Sequence, residues 1–208
     1  MKLIDISPTL DERTAVWPGD RPLRRETVCD MEQGDNYTLS HLHATVHLGA
    51  HADAPKHYRR GMPSIESRPL ELYYGPCEVV RVELGRGERV RPAHLAAPPR
   101  APRVLFATGS FPDSTDFNPD FCALSAELIA WLHDEHGVHT VGIDTPSVDL
   151  YHDQELESHN ALADRDMANL EGLVLGGVEA GVYTLVALPL KLAGSDASPV
   201  RAMLVADA

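Results

Sequence analysis

The sequence predicts an α/β fold: a mixed, sheet-rich single domain in which a barrel-like sheet carries few packed helices. Three observations lead there. Segments with the alternation or the compact apolar character of strands recur along most of the chain, whereas one stretch has a clear helical period. That helix is followed by a strand-like segment ending in polar residues, an arrangement by which α/β enzymes place site loops at strand ends. Finally, 208 residues suffice for one domain with a full core and are too few to promise two, so residues 1–208 are read as one unit.

Leu3 to Ile6 alternates apolar and charged residues and reads as an opening strand ahead of Pro8. Val16-Trp17-Pro18-Gly19-Asp20 contains a Pro-Gly-Asp turn, with Trp17 either packed in the core or standing as an aromatic wall over a ligand. Leu23 to Met31 is a weakly patterned strand, and Asn36 to Leu48 a longer one rich in histidine. Tyr58 to Ser67 is charged and turn-rich, suited to the rim of a cleft. After a turn at Gly75-Pro76, Cys77 to Leu84 alternates Val80, Val82 and Leu84 with Arg81 and Glu83, a half-exposed strand. Arg86 to Pro102 is loop with a helical turn near Ala93 to Ala96, and Arg103 to Thr108 is compact and apolar like a buried strand.

Phe111 to Asp120 reads as loop. From Leu124 the period becomes helical: Leu128, Ile129 and Leu132 share a face, Ser125 is placed to cap, Glu127 lies in the first turn and Gly137 stops the helix. Thr140 to Ile143 is a strand leading into Asp144-Thr145-Pro146-Ser147. Ser158 to Leu170 has a helical face in Ala161, Leu162 and Met167, and Val182 to Leu190 and Arg201 to Val205 are closing strands.

Composition narrows the function. Lys+Arg 18 against Asp+Glu 31 leaves a net charge of −13, which repels nucleic acid and anionic membrane. The amino-terminal MKLIDISPTLDE lacks the apolar core of a secretion signal and there is no membrane-length apolar run, so a cytoplasmic protein is expected. Cys29, Cys77 and Cys122 are an odd, widely spaced set that suits buried thiols in a reducing compartment.

The chemistry concentrates between His41 and His57, which hold five of the eleven histidines. An extended His51-Ala52-Asp53 points both donors the same way, and imidazole nitrogen with carboxylate oxygen is a ligand mix for zinc or manganese. Gly49 and Pro55 suit a strand breaking into a loop that bends closely around something. His41 and His43 are assigned structural or supporting roles. A two-ion centre needs further donors, and residue type alone does not choose among His152, Asp153, His159, Asp164, Asp166 and Glu171. Competing chemistries lack their marks: neither Ser110 nor Ser195 sits in a Gly-x-Ser-x-Gly elbow, and no phosphate-cradling loop or dinucleotide fingerprint is present.

His47-Leu-Gly-Ala-His51-Ala-Asp53-Ala-Pro55-Lys-His57 resembles the His-x-Gly-Thr-His-x-Asp-x-Pro-x-His signature of the metal-dependent cyclase family. Supporting pieces span the chain: Asp5-Ile-Ser-Pro8, Trp17-Pro-Gly-Asp20, Tyr74-Gly-Pro-Cys77, Asp144-Thr-Pro-Ser-Val-Asp149, His159-Asn-Ala-Leu162, Asn169-Leu-Glu-Gly172 and Ala197-Ser-Pro-Val-Arg201. Ala50 departs from the signature, standing where the family has threonine, and so removes a hydroxyl beside Asp53.

The resemblance implies the swivelling β/β/α fold of that family, usually as a homodimer, and two zinc ions per subunit with manganese as the alternative. It implies His47, His51 and Asp53 on one ion, Asp53 and His159 on the other, and Glu171 touching both. His57 is implied as the proton-transfer residue and Trp17 as the contact for a substrate ring. The activity implied is that of the family's formamidase branch, hydrolysis of N-formyl-L-kynurenine to L-kynurenine and formate in tryptophan breakdown. Two ions about 4 Å apart would activate water at neutral pH. A neighbouring reaction on isatin or another aryl or cyclic amide would use the same donors. A non-catalytic metal-binding module would be marked by loss of His57 or Trp17, and both are present.

Overall fold

The computed structural model describes residues 1–206. The strands are β1 (Lys2–Asp5), β2 (Arg24–Cys29), β3 (Leu39–His43), β4 (His51–Asp53), β5 (Tyr74–Arg81), β6 (Arg89–Val90), β7 (Arg103–Ala107), β8 (Ala123–Leu124), β9 (Thr140–Ile143), β10 (Ala168–Glu171), β11 (Gly181–Val186), β12 (Ala197–Pro199) and β13 (Met203–Ala206). The α-helices among the described residues are α1 (Ala126–His136) and α2 (Glu157–Asp164), neither long and apolar enough to cross a membrane.

Nine strands form one curled half-barrel in the order β1-β13-β11-β5-β7-β9-β10-β4-β12. Its middle, β5-β7-β9-β10, is parallel; the strands on both flanks pair antiparallel. A parallel centre buried on both faces needs continuous apolar strands, and Arg103–Ala107 is buried throughout. Successive side chains of β7 go to opposite layers. Val104 and Phe106 pack with Leu128, Ile129 and Leu132 of α1, while Leu105 and Ala107 join Tyr73, Val79, Leu170 and Leu185 on the other face. Helix α1 begins where the Ser125 hydroxyl accepts from Leu128 N at 3.1 Å, and ends at Gly137 in the left-handed region, φ 65°.

Several segments depart from the sequence expectation. The histidine-rich strand over Asn36 to Leu48 is broken: β3 ends at His43 and pairs only with β2, forming a ribbon exposed along β3, so Leu42 is 67% exposed despite its apolar alternation. The chain then bends at Gly49, which is left-handed (φ 57°) with Pro8 and Leu10 packed where a Cβ would lie. Gly75-Pro76 does not turn the chain; both lie within β5. Strand β7 pairs only from Glu78 onward, so the missing N–H of Pro76 costs no ladder bond on that side, and Gly75 leaves room for the Arg103 guanidinium, which donates to Pro76 O. The helical stretch Ser158 to Leu170 splits, α2 ending at Asp164 and Asp166 turning the chain at φ 52° into β10. Strand β11 stops at Val186, short of Leu190, and β12 has no counterpart in the expected strands.

Candidate metal centre

The central run β9-β10 and the flank strand β4 bring the donors together. In β4, His51 and Asp53 are buried and on the same side, as their two-residue spacing requires. Antiparallel pairing sets Glu171, at the end of β10, opposite His51. His159 arrives on the buried side of α2, and His47 from the turn before Gly49. Two sets, His47–His51–Asp53 and Asp53–His159–Glu171, each place one ligand atom per residue within 4.8 Å of the others.

The two carboxylates divide their oxygens between these sets. Asp53 Oδ1 lies 3.0 Å from His47 Nδ1 and 3.6 Å from His51 Nε2, while Oδ2 lies 3.3 Å from His159 Nε2. Glu171 Oε2 is 3.2 Å from His51 Nε2 and Oε1 is 3.3 Å from His159 Nε2. Despite these short separations, His51 Nε2 and Asp53 Oδ1 are buried without a hydrogen-bond partner. Buried polar atoms are almost always paired. Lone pairs that converge on a shared point instead of on one another are what a cation requires, so the residues present fit a divalent metal.

The opposite ring nitrogens are tied back. His51 Nδ1 lies 2.9 Å from Gly49 O, and His159 Nδ1 lies 2.8 Å from Asp149 Oδ2, which leaves each Nε2 for a ligand bond. Asp149, buried itself, pairs with Arg89 at 2.9 Å, and Arg89 also donates to Leu124 O and Ser158 Oγ. Asn169 Nδ2 donates to Asp53 Oδ2 at 2.9 Å and to Glu171 Oε1 at 3.1 Å. With Ala50 buried where the signature has threonine, it is this amide that orients Asp53. Residue reasoning gave no role to Asp149, Asn169 or Asp196, although the first two stand in segments that carry the family resemblance; nothing in local spacing marks Asp196.

His57 follows Pro55 in a short 3-10 turn and is held differently. Its ring lies 4.2 Å from that of His47, centroid to centroid, and its Nδ1 is 3.5 Å from Asp196 Oδ2. His47, His57 and Asp196 form a third trio of potential donors, less buried than the other two. The unpaired buried atoms belong to the deeper sets, which favours those for the metal.

Charge follows the same division. Burial opposes protonation of His47, yet the adjacent Asp53 carboxylate, with Asp196, outweighs it and raises its pKa to about 9. His51 and His159 are likewise raised against their burial, by Glu171 and by Asp149 respectively. Asp53 and Glu171, which burial alone would push up, are held below their usual range by these imidazoles, though for Glu171 the nearby Asp53 charge works the other way. His57 moves down instead, because burial dominates.

The centre lies in the wall of a cavity of about 1060 Å³ that His47, His51, His57, His159 and Glu171 line. Trp17 lines it as well, its ring 5.5 Å from Phe117 and 5.1 Å from Tyr151. The structure therefore brings His47, His51, Asp53, His57, His159 and Glu171 together and sets Trp17 in the same cavity, whereas His41 and His43 lie apart on the exposed ribbon, near Glu26.

Residues 4–150 match a family model described as "Putative cyclase". A kynurenine formamidase from Bordetella petrii is 42% identical over 205 residues, spanning 98% of this chain and 97% of that protein. A solved structure described as a potential metal-dependent hydrolase with cyclase activity superposes with a TM-score of 0.83 at 28% identity, covering 98% of this chain and 96% of the other. Isatin hydrolase A from Labrenzia aggregata shares the fold, with a TM-score of 0.81 at 23% identity over 99% of this chain and 94% of its own.

Proposed function

This chain belongs to the cyclase family, and from that membership we propose that it is an arylformamidase that hydrolyses N-formyl-L-kynurenine to L-kynurenine and formate. The observation that carries the reading is the pair of buried carboxylates, Asp53 and Glu171, each sharing its oxygens between two imidazole sets in a cavity with an aromatic wall. His47, His51 and Asp53 would hold one ion and Asp53 with His159 the other, Glu171 reaching both; the ions are zinc, with manganese as the alternative. When bound, such ions supply a water of lowered pKa and a Lewis acid for the formyl carbonyl.

The chain's own residues do the remaining work. Trp17, with Phe117 beside it, offers a flat apolar surface to the aryl ring and so orients the formamide. Water adds to the formyl carbon and the C–N bond breaks. His57 takes the proton released by the water and delivers it to the aniline nitrogen as that nitrogen leaves, so the group ends the cycle as it began. Asp196, hydrogen-bonded to His47 Nε2 at 2.9 Å and 3.5 Å from His57 Nδ1, places a negative charge beside the ring. Asp149 and Asn169 keep His159 and Asp53 in register throughout.

Metal-free protein should be inactive on N-formylkynurenine and regain turnover on addition of zinc or manganese; full activity without any divalent cation would refute the reading. Isatin and formanilide assayed beside it test the second reading, another cyclic or aryl amide, which the shared fold of isatin hydrolase A favours. We further propose one functional unit over residues 1–208, a cytoplasmic location, and a homodimer. The last is supported by the apolar Val28, Leu39 and Leu42 exposed on the β2-β3 ribbon.

A further inference from the structure

N-formylkynurenine carries, beyond its ring, an α-amino acid head with a carboxylate and an ammonium on one carbon. The metal centre accounts for the formyl end and Trp17 for the ring, which leaves the head without a receptor. In a chain of net charge −13, a substrate carboxylate needs a specific cation. Arg13 is the sole arginine or lysine among the residues lining the cavity; the other basic groups there, His47, His51, His57 and His159, belong to the centre already described.

Arg13 is also presented in a usable way. Its Nε and Nη2 donate to Asp11 Oδ2 at 3.1 and 2.6 Å, so that edge of the guanidinium is fixed. Its Nη1 makes no hydrogen bond among the described residues, the side chain is 80% exposed, and Arg13 is among the residues that line the cavity, so the second edge is open to a ligand. A planar guanidinium anchored on one edge and open on the other is preorganised for a carboxylate. Asp11 lines the cavity too, and the pair therefore shows a positive and a negative group side by side. An α-amino acid zwitterion shows the same two charges at the same short spacing.

We propose that the Arg13–Asp11 pair is the subsite for the amino acid head of the substrate, Arg13 taking its carboxylate and Asp11 its ammonium. This rests on the formylkynurenine reading above and adds what that reading leaves open, why an amino acid conjugate should be chosen over a bare formanilide. The pair acts in binding and takes no part in the bond that breaks.

The test is the ratio of kcat/KM for N-formylkynurenine to kcat/KM for formanilide, which lacks the head. Wild-type protein should favour N-formylkynurenine. In Arg13→Gln that ratio should fall about tenfold, through KM, and in Arg13→Glu it should fall further. Asp11→Asn should lower it as well, and by more than it lowers the same ratio for the desamino analogue that keeps only the carboxylate, since that analogue loses only the anchoring of Arg13. An unchanged ratio in Arg13→Gln, or an equal loss on both substrates, would overturn the assignment. If the Gln variant does not fold, Arg13→Lys, which keeps the charge without the bidentate edge, supplies the ratio. Failure of wild-type protein to hydrolyse N-formylkynurenine while it hydrolyses formanilide would instead overturn the formamidase reading itself, so the two failures are distinct.

Discussion

At the scale of single residues, what separates His57 from its neighbours is the company it keeps. His47, His51 and His159 each touch a carboxylate that is shared between sets, whereas His57 meets only Asp196 at the edge. His57→Ala should accordingly retain its metal, measured by elemental analysis, and lose roughly 10²- to 10⁴-fold in kcat; a variant that lost metal would place His57 among the ligands. Asp149 poses the converse case. It touches no substrate, but its Oδ2 holds His159 Nδ1, and His159 in turn, with the backbone N–H groups of Ser158 and His159, keeps it charged against its burial. Asp149→Asn should weaken metal affinity by roughly 10- to 100-fold in a chelator competition. Unaltered affinity in a folded Asp149→Asn protein would show that the backbone alone orients His159.

Between elements, the decisive contact is where the end of β10 meets the turn that enters β4. Gly172 has φ 65°, and a Cβ there would lie 2.2 Å from the carbonyl oxygen of Gly49. Gly172→Ala must either push the two segments apart or strain both, so it should cost at least about 2–3 kcal/mol in denaturant unfolding and reduce metal affinity along with stability. Stability equal to wild type would mean the segments separate freely. This contact also marks what the sequence could and could not reveal. His51 and Asp53 were readable as a pair because two-residue spacing in an extended segment puts both on one side. Leu128, Ile129 and Leu132 were readable because helical period is local. The break after His43 was not, since β3 finds its partner only in β2, and pairing between distant segments leaves no local period. Strand β12 escaped notice for a similar reason: three residues carry no period, and only pairing with β4 defines them. From residue type alone, His159 and Glu171 stood level with His152 and Asp164; tertiary placement distinguishes them.

For the whole molecule, the centre couples metal, protons and stability. Without metal, His47, with its pKa of about 9, and the likewise raised His51 and His159 bind protons that balance Asp53 and Glu171 in a buried site. A histidine whose folded pKa exceeds its unfolded value contributes stability that is fully present below about pH 6.5 and lost as pH rises through the folded value. The lowered carboxylates contribute stability that is lost as pH falls below their usual range. Metal-free protein should therefore lose thermal stability as pH is raised from 7 through about 9, as the His47 proton leaves. Loaded protein should not, because the cation replaces the protons as counter-charge to the two carboxylates. The same balance requires metal uptake at pH 7 to release protons, and apparent affinity to rise with pH up to about 9. Melting curves with and without chelator across this range, together with isothermal titration in buffers of different ionisation enthalpy, measure both effects. Parallel melting profiles with no proton release would mean that the metal-free imidazoles are neutral, and the electrostatic account of the centre would fail.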